Sequence, residues 1–485
     1  MQENSVLLVY GENLGDLIQK FSSWLEEKSD RFLVLVGEEE ELLPLSFLSH
    51  PQVRLLSLHA DEERIEQLTW EFSFLSFEYK IFGKPKKIER AEKLFSQIEN
   101  GRTSVHLIAS DFRDLGKRVL SNYLTNFPKL RHAKKGRELF SAFKGVPALI
   151  LAAGPSLEKE IEEIRAWQNR ALLFAGGTSL NALSFFSLIP DFTCALDPEP
   201  PIRRFLDQTA YEVPFFYQNR VSQELLGLVH GPKLWIPDNG NYPIEEWVQE
   251  QINLESSTFD AGWNVSTFCT ALATALGCSP IIFVGLELST ASEEVYAKGV
   301  LEKIGKEFVE AFDVHGKKVK TKQDWLMAAS WLEQFAKEHP ETEFFNATKG
   351  GLALSSIPRK SLRELRNQFG QKMFDAKGVV HTAIQQITGC DEKSLSSPAS
   401  EAIQTSFSNC FDLSQKLLAL FEKSYPQVTL NGQAALWEVE MEEEIAYRHF
   451  IEPLWRIWGP LFQRSAPDLS MNLHKLLFIQ KIGSS

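Results

Sequence analysis

The residues best placed to do chemistry begin at Ala148-Leu149-Ile150-Leu151-Ala152-Ala153-Gly154-Pro155-Ser156-Leu157, an apolar run that ends in Gly-Pro-Ser and passes into helical spacing. Gly154 permits a tight turn and close approach of a ligand to the backbone. Pro155 fixes its own φ and has no N–H. Ser156 can cap the next helix, whose amides and dipole favour a phosphate. Taken alone, such a turn is also an ordinary strand-to-helix connection. Four further strand ends repeat the pattern. Gly177-Thr178-Ser179 pairs permissive backbone with hydroxyl donors, and Asp197 follows the apolar run Phe192–Leu196. Asn264, Ser266 and Thr267 open another helix, and Asn346-Ala347-Thr348 ends a late strand. Asp197 is of the right type to take a ribose hydroxyl or a metal ion. Asp191, at the start of its strand, reads more simply as a turn or cap residue. The pattern is neither the dinucleotide fingerprint nor a P-loop. It describes a phosphate- or nucleotide-binding edge, where open α/β sheets take their ligands.

The elements needed to position these groups can be read from hydrophobic periodicity. Strands are expected at Val6–Tyr10, Phe32–Gly37, Val53–Leu58 and Val105–Ser110, with helices at 14–27 and 115–124. A second series is expected at 148–153, 171–175, 192–196, 215–218, 233–236, 280–285 and 343–346, with helices at 157–168 and 265–276 between its members. Alternation of this kind implies a mostly parallel sheet covered by helices. After Arg359 the strand-like runs stop and helical spacing takes over at 360–387, 400–424 and 436–450. The expected fold class is therefore α/β, with three domains. Residues 1–130 form a small N-terminal α/β domain, 131–358 a Rossmann-like nucleotide- or phosphate-binding domain, and 359–485 an all-helical C-terminal domain. The helical region would serve packing or oligomerisation, or recognise a protein acceptor.

Composition narrows the function. A formal charge of −13 over 485 residues argues against a protein that coats nucleic acid. The basic clusters Lys84-Pro85-Lys86-Lys87 and His132–Arg137 read as solvated faces. Five widely spaced cysteines without a Cys-x-x-Cys pair fit a reduced compartment and no structural zinc. The N-terminus lacks the basic start of a signal peptide, and no apolar run reaches the ~20 residues of a membrane span. A cytoplasmic location is the expectation.

Over about Phe143–Pro358 the sequence resembles the motility-associated-factor (Maf) flagellin glycosyltransferase-like family, which includes MptE-like 6-hydroxymethylpterin diphosphokinases. The blocks that carry the resemblance are Ala153–Leu157, Pro190-Asp191-Phe192, Leu196-Asp197-Pro198, Ala275-Leu276-Gly277-Cys278, Phe283-Val284-Gly285 and Asn346-Ala347-Thr348. The core also resembles bacterial CMP-dependent sialyltransferases, which share a Gly-Pro-Ser-Leu turn and carry Asn-Pro where this chain has Asp197-Pro198. That likeness implies Gly154 and Ser156 near a nucleotide phosphate, Thr178 and Asp197 near sugar and base, and polar contacts from Asn264, Ser266 and Thr267. It implies transfer of a nonulosonic-acid-type sugar from a CMP donor to a Ser or Thr hydroxyl of a protein. The diphosphokinase branch implies ATP, with magnesium held by Asp197 or Asp191. No other cofactor is indicated, and the blocks carry no signal for oligomeric state.

Two departures bear on catalysis. Gly285-Leu286-Glu287-Leu288-Ser289 stands where many members have Gly-Gln-Asp-Leu-Ala, so the acid is one methylene longer. A downstream His of the family has no counterpart in Glu294-Val295-Tyr296-Ala297-Lys298-Gly299, and His315 is the nearest in sequence. Asp197, Glu287 and His315 are the candidate catalytic groups. The readings carried forward are a CMP-sugar transferase, a pterin diphosphokinase, and a nucleotide-binding or interaction protein that keeps the fold without catalysis.

Overall fold

The structure is a computed structural model describing residues 5–11, 13–28, 30–45, 50–82, 87–207, 212–237, 242–251, 259–290, 296–300, 308–390, 397–424, 432–465 and 471–483. Its internal contacts divide the chain into two units. The first comprises Met1–Gly116, Ser414–Ala435 and Leu454–Ser485, and the second Lys117–Leu413 and Leu436–Pro453. Segments of the helical stretch after residue 359 therefore belong to both.

The first unit holds four parallel strands: β1 (Val6–Gly11), β2 (Phe32–Gly37), β3 (Val53–Ser57) and β4 (Phe77–Phe82), in the order β3-β2-β1-β4. Strand β1 is wholly apolar up to its final glycine and buried along its length, as a central parallel strand must be. Strand β4 (Phe-Glu-Tyr-Lys-Ile-Phe) alternates with polar residues and is only half-buried at a sheet edge, which kept it below the expected pattern.

The strand expected at 105–110 is instead part of a 39-residue helix, Ile88–Asn126. Its short β-branched run is overridden by a longer period. Ala91, Leu94, Phe95, Ile98, Val105, Ala109, Phe112, Val119 and Tyr123 are all buried, at the three-, four- and seven-residue spacings of a helix face.

The second unit is built on eight parallel strands. They are β5 (Lys134–Lys135), β6 (Ala148–Leu151), β7 (Leu172–Gly176), β8 (Phe192–Ala195), β9 (Phe215–Tyr217), β10 (Lys233–Trp235), β11 (Ile281–Val284) and β14 (Phe344–Asn346). Their order is β14-β11-β6-β7-β8-β9-β10-β5, and a separate hairpin pairs β12 (Val309–Phe312) with β13 (Lys318–Thr321). The chain steps outward from β6 through β7 to β8, and later returns to place β11 on the other side of β6. The direction of winding thus reverses at β6, which opens a crevice at the strands' C-terminal ends.

Helix Val265–Ala275 lies across β6, β7 and β8. Beneath it, Phe174 stacks on Phe192 at 5.1 Å and Phe192 meets Phe216 at 5.3 Å. Each such buried ring stabilises the layer by about 2–3 kcal/mol. The expected helix at 157–168 is a 3₁₀ turn, Pro155–Glu160, leading into a short α-helix, Ile161–Trp167.

Among the described residues no helix is long and apolar enough to cross a membrane. All five cysteines are buried free thiols, with Cys194 and Cys269 Sγ 2.9 Å apart. Of the first basic cluster, Lys84, Pro85 and Lys86 lie outside the described residues. Lys87 is paired with Glu38 at 2.6 Å.

Candidate functional site

The crevice at β6 is a cleft of about 180 Å³. Its floor is the C-terminal ends of β6, β7 and β11, through Ala153-Gly154, Gly176-Gly177 and Gly285–Ser289. Thr178, Ser179, Arg204, Asn264 and Ser266 form polar parts of its wall, and Tyr296 and Trp325 supply aromatic faces. Seven residues chosen from the sequence thus come together: Gly154, Gly177, Thr178, Ser179, Asn264, Ser266 and Glu287.

Several of these groups are already engaged within the protein. Ser156 N–H, which a phosphate would be expected to take, donates to Glu287 Oε1 at 2.7 Å. A Cβ on residue 154 would collide with Glu287 Oε2 and stand 2.6 Å from the Gly285 carbonyl oxygen, so only glycine fits. Ser156 Oγ and Glu287 Oε2 are both buried without a hydrogen-bond partner.

The loop that carries Glu287 is fixed from several sides. Leu286 N–H donates to Thr348 Oγ1 at 3.0 Å, Leu352 N–H to the Glu287 carbonyl at 2.8 Å, and Thr321 Oγ1 to the Leu288 carbonyl at 2.7 Å. Thr348 therefore positions this loop from outside the cleft lining, itself held by Asn346 Oδ1, which accepts from its N–H at 2.9 Å. Pro155 opens the 3₁₀ turn and does not line the cleft.

The start of helix Val265–Ala275 is closed by its own cap. Asn264 Oδ1 accepts from the N–H groups of Ser266 and Thr267 at 2.9 and 3.1 Å, and Thr267 Oγ1 accepts from Asn264 N–H at 2.9 Å. This capping box satisfies the amides expected to meet an anion. Thr267 is fully buried below the cleft. Ser179 is similarly occupied: its hydroxyl donates to the Gly176 carbonyl at 2.9 Å and accepts from Gly176 N–H at 3.2 Å.

The two aspartates separate to opposite ends of β8. Asp191 precedes β8, where its carboxylate accepts from Leu173 N–H at 2.9 Å. Burial pushes its pKa up to about 6 against the opposing pull of that hydrogen bond and of Lys377. Asp197 follows β8 at its cleft end. It does not line the cleft, but pairs at 3.7 Å with Arg204, which does.

Arg204 comes from the 3₁₀ turn Ile202–Phe205, and its side chain is 14% exposed. Sequence reasoning passed over it. The available signal was an Arg-Arg pair six residues beyond Asp197-Pro198, in a segment with neither strand nor helix period.

His315 sits in the turn of the β12–β13 hairpin, where its N–H donates to Asp313 Oδ1 at 2.8 Å; it is outside the cleft lining. Of the stretch expected to replace the family His, Glu294 and Val295 lie outside the described residues, while Tyr296 lines the cleft. Among the described residues no three His, Cys, Asp or Glu side chains converge. Neither Asp191, at the opposite end of β8, nor Asp197, paired to Arg204, lines the cleft.

Fold and cleft together define an α/β protein with a Rossmann-like sheet and a cleft at its winding reversal. Residues 121–293, a little over a third of the chain, match the family described as 6-hydroxymethylpterin diphosphokinase MptE-like. The chain has the fold of a solved Maf glycosyltransferase from Magnetospirillum magneticum AMB-1. That likeness has a TM-score of 0.58 and 16% identity over 99% of this chain and 80% of the other, and it concerns the fold alone. Over 52 residues the chain is 44% identical to an uncharacterized protein of Treponema pallidum (strain Nichols), a match covering 11% of this chain and 25% of that protein. The resemblance drawn from the sequence to the MptE-like family thus holds over residues 121–293, which carry most of the cleft lining, and the resemblance to Maf proteins holds at the level of the fold.

Proposed function

We propose that this protein is a cytoplasmic transferase of the Maf type, passing a nonulosonic-acid-type sugar from a CMP donor to a Ser or Thr hydroxyl of a protein. The observation that carries the reading is the cleft at the winding reversal of the second sheet, where Gly154, Gly177 and Thr178 meet Arg204, Glu287 and two aromatic rings. Clefts at this point of an open α/β sheet are where nucleotides bind. Tyr296 and Trp325 offer faces for a base or sugar.

In this reading Glu287, the carboxylate in the cleft lining, is the general base. It takes the proton of the acceptor hydroxyl as that oxygen bonds to the anomeric carbon. The bond from that carbon to the phosphate oxygen breaks, and CMP leaves with its charge. His315, in its hairpin turn, has no part in this step. The carboxylate of Glu287 is held in place: Ser156 N–H fixes one oxygen, and the loop bonds of Leu286 and Leu352 fix the backbone.

The test is a thermal-shift panel of CMP, CDP, UDP, GDP and ATP, each with and without magnesium. CMP at about 100 times its Kd should stabilise the protein by about 2.7 kcal/mol. A shift with ATP that requires magnesium would move the assignment to the diphosphokinase branch favoured by the family match. Silence throughout would leave an interaction protein with a transferase fold.

A further inference from the structure

The cleft has two walls of opposite character, and their chemistry reverses the placement expected from the sequence. At the Gly154–Ser156 turn the position suited to a phosphate is filled by the protein's own anion. Glu287 Oε1 takes the Ser156 amide at 2.7 Å, and the Cβ-less Gly154 accommodates Oε2. Two lysines pair with acids of the turn Pro155–Glu160 itself, Lys298 with Glu158 at 3.4 Å and Lys349 with Glu160 at 2.5 Å. A phosphate placed here would face a carboxylate across a few ångströms of poorly solvated space, which is repulsive.

An ionised carboxylate oxygen can only accept. The Glu287 carboxylate lines the cleft, so that wall favours a ligand group that brings an O–H or N–H over a second anion.

The opposite wall has the complementary character. Arg204 extends to the β7 side of the cleft, held from behind by Asp197 at 3.7 Å. Its guanidinium presents a planar fork of donors matched to phosphate or carboxylate. Gly177, at φ +56°, adopts a backbone disfavoured for other residues, and a Cβ there would stand 4.0 Å from Arg204 Nη1. Val265 Cγ2 would stand 3.5 Å from the same Cβ, so the Gly177 backbone, the Val265 side chain and the guanidinium share this wall.

We infer that the cleft binds its ligand with a fixed polarity: the anionic group lies at Gly177, Thr178 and Arg204, and a hydroxyl or amino donor faces Glu287. The inference rests on the cleft being the ligand site. Under the transferase reading it assigns the leaving CMP phosphate to Arg204 and the acceptor hydroxyl to Glu287.

The experiment is calorimetric titration of the full-length protein with inorganic pyrophosphate and, separately, with CMP. The proteins compared are the wild type, Arg204→Met, Arg204→Lys and Glu287→Gln, each checked for native circular dichroism. Arg204→Met should weaken both probes by about 10- to 100-fold, the value of a charge-assisted pair. Arg204→Lys, which keeps the charge against Asp197, should lose less and decides the matter if the Met variant does not fold. Glu287→Gln should bind both probes as well as the wild type or better, because it removes an anion from the cleft.

A loss of binding in Glu287→Gln with none in the Arg204 variants would overturn the polarity while leaving a CMP-binding transferase intact. Arg204-dependent binding of pyrophosphate without any binding of CMP would uphold the polarity and remove the CMP reading. A wild type that binds neither probe at millimolar concentration would overturn both.

Discussion

The two parallel sheets of this protein wind in the same way, yet among the described residues their reversal points are lined by different chemistry. In the first sheet the chain runs β1, β2, β3 outward and then sets β4 on the other side of β1. In the second it runs β6, β7, β8 outward and sets β11 on the other side of β6. A glycine follows closely at each reversal: Gly11 ends β1, and Gly154 lies three residues beyond β6.

What meets that glycine differs. Gly11 is paired in register with Phe82, and a Cβ on Gly11 would lie 2.7 Å from the Phe82 carbonyl oxygen and 2.9 Å from the Phe82 Cβ. The Phe82 ring packs edge-on to Phe21 at 5.8 Å, beneath Lys20 Nζ at 4.2 Å. Gly154 meets a carboxylate, Glu287, in a cleft lined by Arg204, Tyr296 and Trp325. The comparison teaches that a topological switch point supplies a notch, and the side chain at its rim decides between a plug and a site.

The largest effect should come from removing the space at Gly154. Gly154→Ala places its Cβ against Glu287 Oε2 and the Gly285 carbonyl, two groups fixed by their own hydrogen bonds. A loss of about 3 kcal/mol or more is expected in urea unfolding, the scale of a severe core clash. A wild-type unfolding curve for this variant would mean that Glu287 moves freely, and the contrast between plug and site would lose its basis.

Phe82→Ala tests the other side. It should cost about 2 kcal/mol through lost packing in a half-buried site, measured in the same way, and leave nucleotide binding untouched. A change in CMP affinity in Phe82→Ala would show that the first sheet's notch also serves the ligand.

The smallest expected effect concerns pH and sharpens the contrast between the two ends of β8 in the second sheet. Asp191 has its pKa raised by burial to about 6 from an ordinary 3.8. Between those values the folded protein keeps a proton that the unfolded chain has lost, so stability falls as pH rises through that window and stays lower above it. Asp191→Asn can still accept from Leu173 N–H. It should abolish that decline and raise stability at pH 7 by about 1–2 kcal/mol. Denaturation midpoints at pH 4 and pH 7 decide it, and an unchanged pH dependence in the variant would sink the assignment. Ligand affinity should not respond, because Asp191 lies at the end of β8 away from the cleft.

Much of this architecture is legible in the sequence, because burial on both faces leaves a continuous apolar run such as Ala148–Leu151 and glycines must mark the tight strand ends. The start of the helix after Asn264 is legible for the same local reason, but its first amides, expected to meet an anion, are taken by the Asn264 side chain. Legibility failed where the deciding partner is distant in sequence. Val105–Ser110 looks like a strand within six residues and is a helix only because a face continues over 39. Arg204 carries no periodic signal, and it reaches the cleft because β8 and the turn after it end beside β7.

The sequence by itself determined the α/β class, the two parallel series and the set of strand ends from which a site could be built, because each depends on residue type within a few positions. Tertiary structure decided what those ends do. Ser156 and Glu287 are 131 residues apart in the chain and 2.7 Å apart in space, so a turn suited to phosphate became the seat of the protein's own carboxylate. Asp191 and Asp197, six residues apart, were sent to opposite ends of β8 because that strand lies between them. Electrostatics depends on distance through space, and only the folded sheet sets that distance.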